Sequence, residues 1–302
     1  VSAARAGAVV TVGTFDGVHR GHRAVVEEIM RRARARGLAS LVVTFEPHPL
    51  EVVNPAAAPR LLTLPDEKRA LLETTGVDRI AVVPFTKALS QLEPDAFVRE
   101  ILLQRFAMRE LVLGFDHGFG RGRSGDVELL RRLGTSDGFA VDVVEPVLDG
   151  GQPISSTLIR TAVAHGNLDA AGRWLGRGYA IRGVVERGAG RGQTIGIPTA
   201  NLAAPDPRKL LPPDGVYAVR VTWREQRFGG MMNQGSRPTF GLEARVLEVH
   251  LFEFSGDLYG ETVTVEWVRR LRDVQAFPNR EALVAQLGRD RDAALESLRR
   301  VG

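Results

Sequence analysis

Apolar positions in the first half of the chain alternate between two rhythms. Ala8–Val12 is a continuous β-branched run that ends in a Gly-rich turn. The stretch after it carries Val25, Val26, Ile29, Met30 and Ala33 on one face, the 3.6-residue period of a half-buried helix. Leu41–Phe45, Ile80–Val83, Leu111–Leu113 and Phe139–Val144 read as further buried strands. Helices are predicted between them, around Asp66–Thr74, Asp95–Arg105 and Asp126–Leu133. Strands alternating with helices predict a parallel sheet covered on both faces, an α/β, Rossmann-like unit. Such sheets bind ligands outside the carboxyl ends of their strands.

Ser155–Leu175 reads as one helix with serines placed to cap its start. The texture changes after Gly178. Short alternating runs, Tyr217–Val221, Val246–Phe252 and Thr262–Trp267, are separated by Gly, Pro and Asp turns, which predicts a mainly β barrel or sandwich. Helical periodicity returns from Asn279 to Leu298, with Leu283, Leu287, Ala294 and Leu298 in register. The boundary falls near Gly176–Tyr179, giving domains 1–178 and 179–302.

At 302 residues the chain is long enough for two such domains. No apolar run approaches the roughly 20 residues that span a bilayer, and Val1–Val12 has no signal-peptide pattern, so no membrane partner and a cytoplasmic location are expected. Cysteine is absent, which excludes disulfides, thiolate zinc sites and cysteine nucleophiles. The net charge is only +4, and the arginines are dispersed among acids, as in Glu27-Glu28-Ile29-Met30-Arg31-Arg32. Without a basic, aromatic-interleaved stripe, no nucleic-acid partner is expected, and arginines that meet phosphate ligands fit better.

Gly13-Thr14-Phe15-Asp16-Gly17-Val18-His19-Arg20-Gly21-His22 follows a strand and opens a helix. Backbone N–H groups and the helix dipole favour anionic phosphate there, and Gly13 and Gly17 allow close backbone approach. His19 and His22, three apart, can face one point and stabilise charge on ATP phosphates. An isolated pair of this kind would more often sit idle on a surface helix. The strand–loop–helix context favours function, and zinc lacks an evident third ligand. Further on, Ile154-Ser155-Ser156-Thr157-Leu158-Ile159-Arg160 puts three hydroxyls at a helix start with an arginine within two turns. These groups can hold phosphate oxygens, or they are an ordinary cap followed by a surface arginine.

Together these segments resemble the nucleotidyltransferase superfamily, with its HxGH signature and downstream ISSTxIR element. Their wording resembles the adenylyltransferase module of the bacterial bifunctional riboflavin kinase/FMN adenylyltransferase (FAD synthetase) family. Thr44-Phe45-Glu46-Pro47-His48-Pro49 and Gly114-Phe115-Asp116-His117-Gly118-Phe119-Gly120 extend the resemblance. It implies that Phe45, Pro47, Asp116 and Phe119 help line a flavin and nucleotide pocket. His117 and Gly118 depart from the family's pattern, so an alternative is a riboflavin kinase whose adenylyltransferase domain is inactive.

In the second half, Gly183-Val184-Val185 and the run from Gly188 through Arg191 to Gly196 form a glycine-dense stretch able to fold around phosphates, although many such stretches are simply turns. Pro198-Thr199-Ala200-Asn201 follows. A hydroxyl and an amide oxygen two residues apart suit one magnesium ion. The run resembles the riboflavin kinase signature GxPTAN, which implies ATP contacts from Gly183, Arg191, Gly196 and Pro198 and a role for Thr199 and Asn201 on ATP-bound Mg2+. Leu247-Glu248-Val249-His250-Leu251 matches the strand that carries the family's catalytic base, so the resemblance puts that role on Glu248; a strand carboxylate in a salt bridge is the plain alternative. Asn233-Gln234-Gly235-Ser236-Arg237-Pro238-Thr239-Phe240 matches NxGxRPTF except at Gln234, where the family is usually apolar. Glu253 is expected on the same strand as Glu248, with Asp257 beyond it at the turn; five residues apart, the two glutamates would face opposite sides of the sheet, so only one of them could face the pocket. The resemblance spans nearly the whole chain. It implies a six-stranded β-barrel kinase module behind an α/β adenylyltransferase module, with riboflavin, FMN and ATP as substrates.

Overall fold

Five of the apolar runs pair side by side and in parallel. The computed structural model describes residues 7–115, 127–187, 198–239 and 242–300. Along the first part of the chain lie β1 (Ala8–Val12), α1 (Arg20–Arg36), β2 (Ala39–Glu46), α2 (Pro49–Val53), α3 (Pro65–Glu73), β3 (Arg79–Pro84), α4 (Lys87–Ser90) and α5 (Pro94–Ala96). A π-helical segment, Phe97–Arg105, continues α5 and leads to β4 (Met108–Gly114), α6 (Val127–Asp137) and β5 (Ala140–Val144). The sheet order is β3-β2-β1-β4-β5, with every pair parallel. The chain winds outward from β1 through β2 to β3 and then returns to β4 on β1's other side. That reversal is a topological switch point, where α/β sheets take their ligands.

β1 is wholly buried and shows why. Ala8, Val10 and Val12 join Leu41, Val43, Phe45, Leu111 and Leu113 in one apolar layer. Val9, pointing the other way, meets Val25, Val26, Ile29 and Ala33 of α1. Period 2 on the strand and period 3.6 on the helix thus bury both sheet faces. Charge fixes α1 as well. Fully buried Glu110 on β4 accepts from Arg32 at 2.6 Å and pairs with Arg36 at 2.9 Å. Arg32 also reaches Asp142 on β5.

A two-residue hairpin, β6 (Leu148–Asp149) with β7 (Gln152–Pro153), precedes α7 (Ser156–Ala164) and α8 (Leu168–Leu175). The single helix predicted over 155–175 is therefore two. Gly166 adopts a left-handed φ of 73°, and the Asn167 side chain caps α8 through Ala170 N at 3.1 Å. A left-handed glycine stops one helix and an asparagine starts the next. Apolar periodicity alone ran through both signals.

The chain divides into two units, Val1–Ser156 and Thr157–Gly302. In the second, β8 (Tyr179–Glu186), β9 (Ala200–Leu202), β10 (Gly215–Trp223), β11 (Gln226–Thr239), β12 (Leu242–Leu251) and β13 (Thr262–Arg272) close into a six-stranded antiparallel barrel. Its order is β10-β11-β12-β9-β8-β13. Tyr179 stacks on Trp267 inside it, at 5.6 Å between ring centroids. Gln234 is fully buried there: its amide donates to Pro212 O at 2.6 Å and accepts from Trp267 Nε1 at 3.1 Å. The terminal helix α9 (Arg280–Arg300), capped by Asn279, packs Ala294, Leu287 and Leu298 against Ala218, Met231, Phe252 and Val268. Arg272 holds it with a bidentate pair to Asp290.

Candidate active sites

The loop leaving β1 is wound into unusual backbone. Phe15, Gly17 and Val18 have φ of 50°, 84° and 38°. Glycine takes such values freely, but a bulky or β-branched residue is strained by about 1–3 kcal/mol. The surroundings hold it there. Asp16, 2% exposed, accepts from Leu62 N at 3.0 Å, Thr63 N at 2.9 Å and Thr63 Oγ1 at 3.1 Å. Gly17 N donates to the same hydroxyl at 2.9 Å. On the loop's other side, Ser156 Oγ donates to Asp16 O at 2.8 Å. Gly13 N bonds Val43 O at 3.0 Å, and Thr14 O accepts from Thr44 Oγ1 at 3.1 Å.

His19 is the N-cap of α1. Its Nδ1 accepts from His22 N at 3.3 Å, and its ring stacks on that of His22 at 3.6 Å with 18° between planes. An accepting Nδ1 carries no proton, so the neutral ring has its hydrogen on Nε2. Phe15 leans on the same pair, its ring 5.0 Å from that of His22. Ser155 and Ser156 are half-buried where α7 begins, Thr157 is exposed, and Arg160 is half-buried one turn along from Ser156 on the same helix face.

Phe45 sits in the core at the carboxyl end of β2, edge-on to Phe85 at 5.4 Å, and Pro47 follows a cis peptide bond. Lys68, from α3, is a site neighbour that sequence reasoning missed. It is buried, donates to Phe45 O at 3.0 Å and lies 3.7 Å from Glu46. Burial lowers its pKa, against the opposing pull of Glu46 and Asp16. Thr63 was missed too, because it meets Gly17 across 46 positions and no local pattern announces that. Asp116 and Phe119 lie outside the described residues, as do His117 and Gly118.

On the barrel, strand pairing brings four polar residues abreast. Glu186 pairs with Asn201, Asn201 with Glu248, and Glu248 with Asn233, across β8, β9, β12 and β11. Directly paired residues share a face, with Cβ atoms about 4.5–5.5 Å apart. The alternating neighbours Leu202, Leu247 and Gln234 are buried inside, so the polar row lies on the outer wall. Asn233, the first residue of the NxGxRPTF match, is thus a further candidate, placed beside Glu248 by register. Thr199, half-buried, immediately precedes β9, and His250 Nδ1 contacts Pro198 O at 2.7 Å. Gly183 lies within β8, where a Cβ would come within 3.1 Å of the Leu202 side chain, so packing by itself favours a small residue. Arg191 and Gly196 lie outside the described residues. Glu253 is not a strand partner of Glu248: β12 ends at Leu251, and Glu253 turns away with a φ of 54°. Two consecutive residues beyond the ladder remove the alternation on which an opposite-face argument rests.

A switch-point loop with a histidine-capped helix in one unit, and a carboxylate flanked by two amides on a closed barrel in the other, define a two-unit phosphate-transferring enzyme. A family model described as FAD synthetase matches residues 1–158, and one described as riboflavin kinase matches residues 175–298. The bifunctional riboflavin kinase/FMN adenylyltransferase of Escherichia coli strain K12 is 40% identical, over 96% of this chain and 92% of that protein. The proteins of the same description from Pseudomonas fluorescens and Bacillus subtilis strain 168 are 39% and 33% identical, over 95% and 96% of this chain and 92% of each relative. A crystal structure described as a macrolide-efflux protein from Streptococcus pneumoniae matches with a TM-score of 0.86 and 35% identity, covering 95% of this chain and 94% of that one. That description stays with that protein; among the described residues here no helix is long and apolar enough to cross a membrane. The chain belongs to the family of bifunctional riboflavin kinase/FMN adenylyltransferases.

Proposed function

We propose that this chain phosphorylates riboflavin to FMN on its barrel and adenylylates FMN to FAD on its α/β unit, with domains 1–178 and 179–302. The observations that support this reading are the histidine-capped loop at the switch point of the sheet and the polar row Glu186, Asn201, Glu248 and Asn233 on the barrel wall.

In the kinase step the ribityl 5′-hydroxyl attacks the γ-phosphorus of ATP, the bond to the β-phosphate oxygen breaks, and ADP leaves. Glu248 takes the hydroxyl proton. Thr199 and Asn201 would hold magnesium. Their neutral oxygens, beside a single carboxylate, suit a hard ion that keeps water and nucleotide phosphates as its other ligands. When bound, the ion offsets negative charge on the phosphates. Gly183, Arg191, Gly196 and Pro198 belong to the ATP side of this site.

In the adenylyl step an FMN phosphate oxygen attacks the α-phosphorus and pyrophosphate leaves. The attacking group is already anionic, so no general base is needed. What the residues supply is charge stabilisation: the Nε2–H of His19, His22, the fork of Arg160, and the N–H and hydroxyl groups of Gly13–Gly17 and Ser155–Thr157. Phe45, Pro47, Asp116 and Phe119 belong to the flavin side. The substrates are small molecules and the setting cytoplasmic.

Incubating the purified protein with riboflavin, ATP and magnesium and separating the flavins tests both halves. FAD is expected. FMN alone would remove the adenylyl step, and unchanged riboflavin would remove both.

A further inference from the structure

We infer that Thr63 is a positioning residue for adenylyl transfer, acting through Asp16 and Gly17 to hold the loop that presents His19. The inference rests on the reading of the His19 site given above. Thr63 lies in the segment before α3 and touches neither histidine in any bond described.

Its hydroxyl does two things at once. It donates to Asp16 Oδ1 at 3.1 Å and accepts from Gly17 N at 2.9 Å. A hydroxyl has one proton to give and lone pairs to receive, so these two bonds fix its orientation. The neighbouring backbone adds two more anchors: Leu62 N and Thr63 N both donate to the Asp16 carboxylate, at 3.0 Å and 2.9 Å. Four bonds therefore join residues 16–17 to residues 62–63, and both Asp16 and Thr63 are buried.

The loop so gripped is the one that needs gripping. Phe15 and Val18 occupy the left-handed region, which neither side chain favours, and Val18 is followed directly by His19. Relaxation at Val18 would rotate the peptide that leads into the cap and carry the imidazole with it. The Nδ1 bond to His22 N would then no longer select the Nε2–H form. On this view the Asp16 carboxylate, bound by backbone and hydroxyl donors, serves as the loop's anchor.

The test uses the full chain with Thr63→Val, which keeps the shape and removes the relay, and Thr63→Ser, which keeps the hydroxyl. FAD formation from supplied FMN and ATP should fall in kcat for Thr63→Val by about 10²-fold, the effect of a small misplacement in a reacting site. The ATP KM should change little, riboflavin phosphorylation should continue at the unaltered rate, and Thr63→Ser should retain most of the adenylylation. Long-range 1H–15N spectra give a second reading: His19 carries its proton on Nε2 in the unaltered protein and in Thr63→Ser, and becomes a tautomer mixture in Thr63→Val. Normal adenylylation by Thr63→Val, equal loss in both variants, or joint loss of both activities with a lowered Tm would each overturn the proposal. Failure of the unaltered protein to make FAD would instead reject the site's reading, and the histidine spectra would still decide whether Thr63 sets the loop.

Discussion

Asn201 and Glu248 stand directly opposite each other on adjacent antiparallel strands, with Asn233 opposite Glu248 on its other side. A carboxylate between two amides on one barrel face stands beside groups that can bind phosphate or metal. Glu248→Gln preserves this shape and removes the proposed base. Riboflavin phosphorylation should fall by about 10²–10⁴-fold. FAD formation from supplied FMN should persist, and flavin chromatography reads both outcomes from one sample.

The helix-cap role of His19 and its proposed role on the ATP phosphates can be separated. Asparagine caps well. His19→Asn should therefore keep α1 intact, seen as an unchanged Tm, while adenylylation drops by about 10²–10³-fold. Kinase turnover should be unaffected. If His19→Asn adenylylates FMN normally, the imidazole does no more than close the helix.

Much of this arrangement is legible in the sequence and part is not. The β1 and α1 patterns survive unaltered because Val9, Val25, Val26, Ile29 and Ala33 answer only to their own periods and to one another. β11 has no counterpart in the sequence expectations, since Gly229, Gly230, Asn233 and Gln234 interrupt its alternation. Its strand character comes from two neighbours, β10 and β12, and pairing across a sheet leaves no local mark. The same limit hides Thr63 and Lys68, whose partners lie 46 and 23 positions away. The motifs name the candidate residues on the barrel, while register is what aligns them.

Gln234 offers a test of core chemistry. Gln234→Leu restores the family's apolar pattern yet strips Trp267 Nε1 and Pro212 O of their buried partner. An unsatisfied buried polar group costs about 1–3 kcal/mol, so the substitution should destabilise the barrel although leucine is the more hydrophobic residue. Equilibrium denaturation of the two proteins measures the difference.

Acid should reveal the charge cluster on α1. Hydrogen bonding from Arg31, aided by Arg32, lowers the Glu28 pKa from 4.5 to about 2. A lowered folded-state pKa stabilises the protein above the unfolded value and ceases to do so as pH falls through the folded one. Glu28→Gln should therefore melt earlier than the unaltered protein near neutral pH. The gap should shrink as pH drops below 4.5 toward 2, in melting curves recorded at low salt. A constant gap across that range would assign it to packing.

Neighbouring residues on β11 point opposite ways, Asn233 to the outer row and Gln234 to the interior. A slip of one position would exchange them, sending an amide into the core at the wrong height and withdrawing the one that flanks Glu248. An aliphatic residue at 234 would resist that slip by burial alone and would tolerate small offsets, since apolar contacts are not directional. The buried amide finds Pro212 and Trp267 in a single alignment. It works as a registration mark, printed on the inside of the wall, that keeps the outside in line.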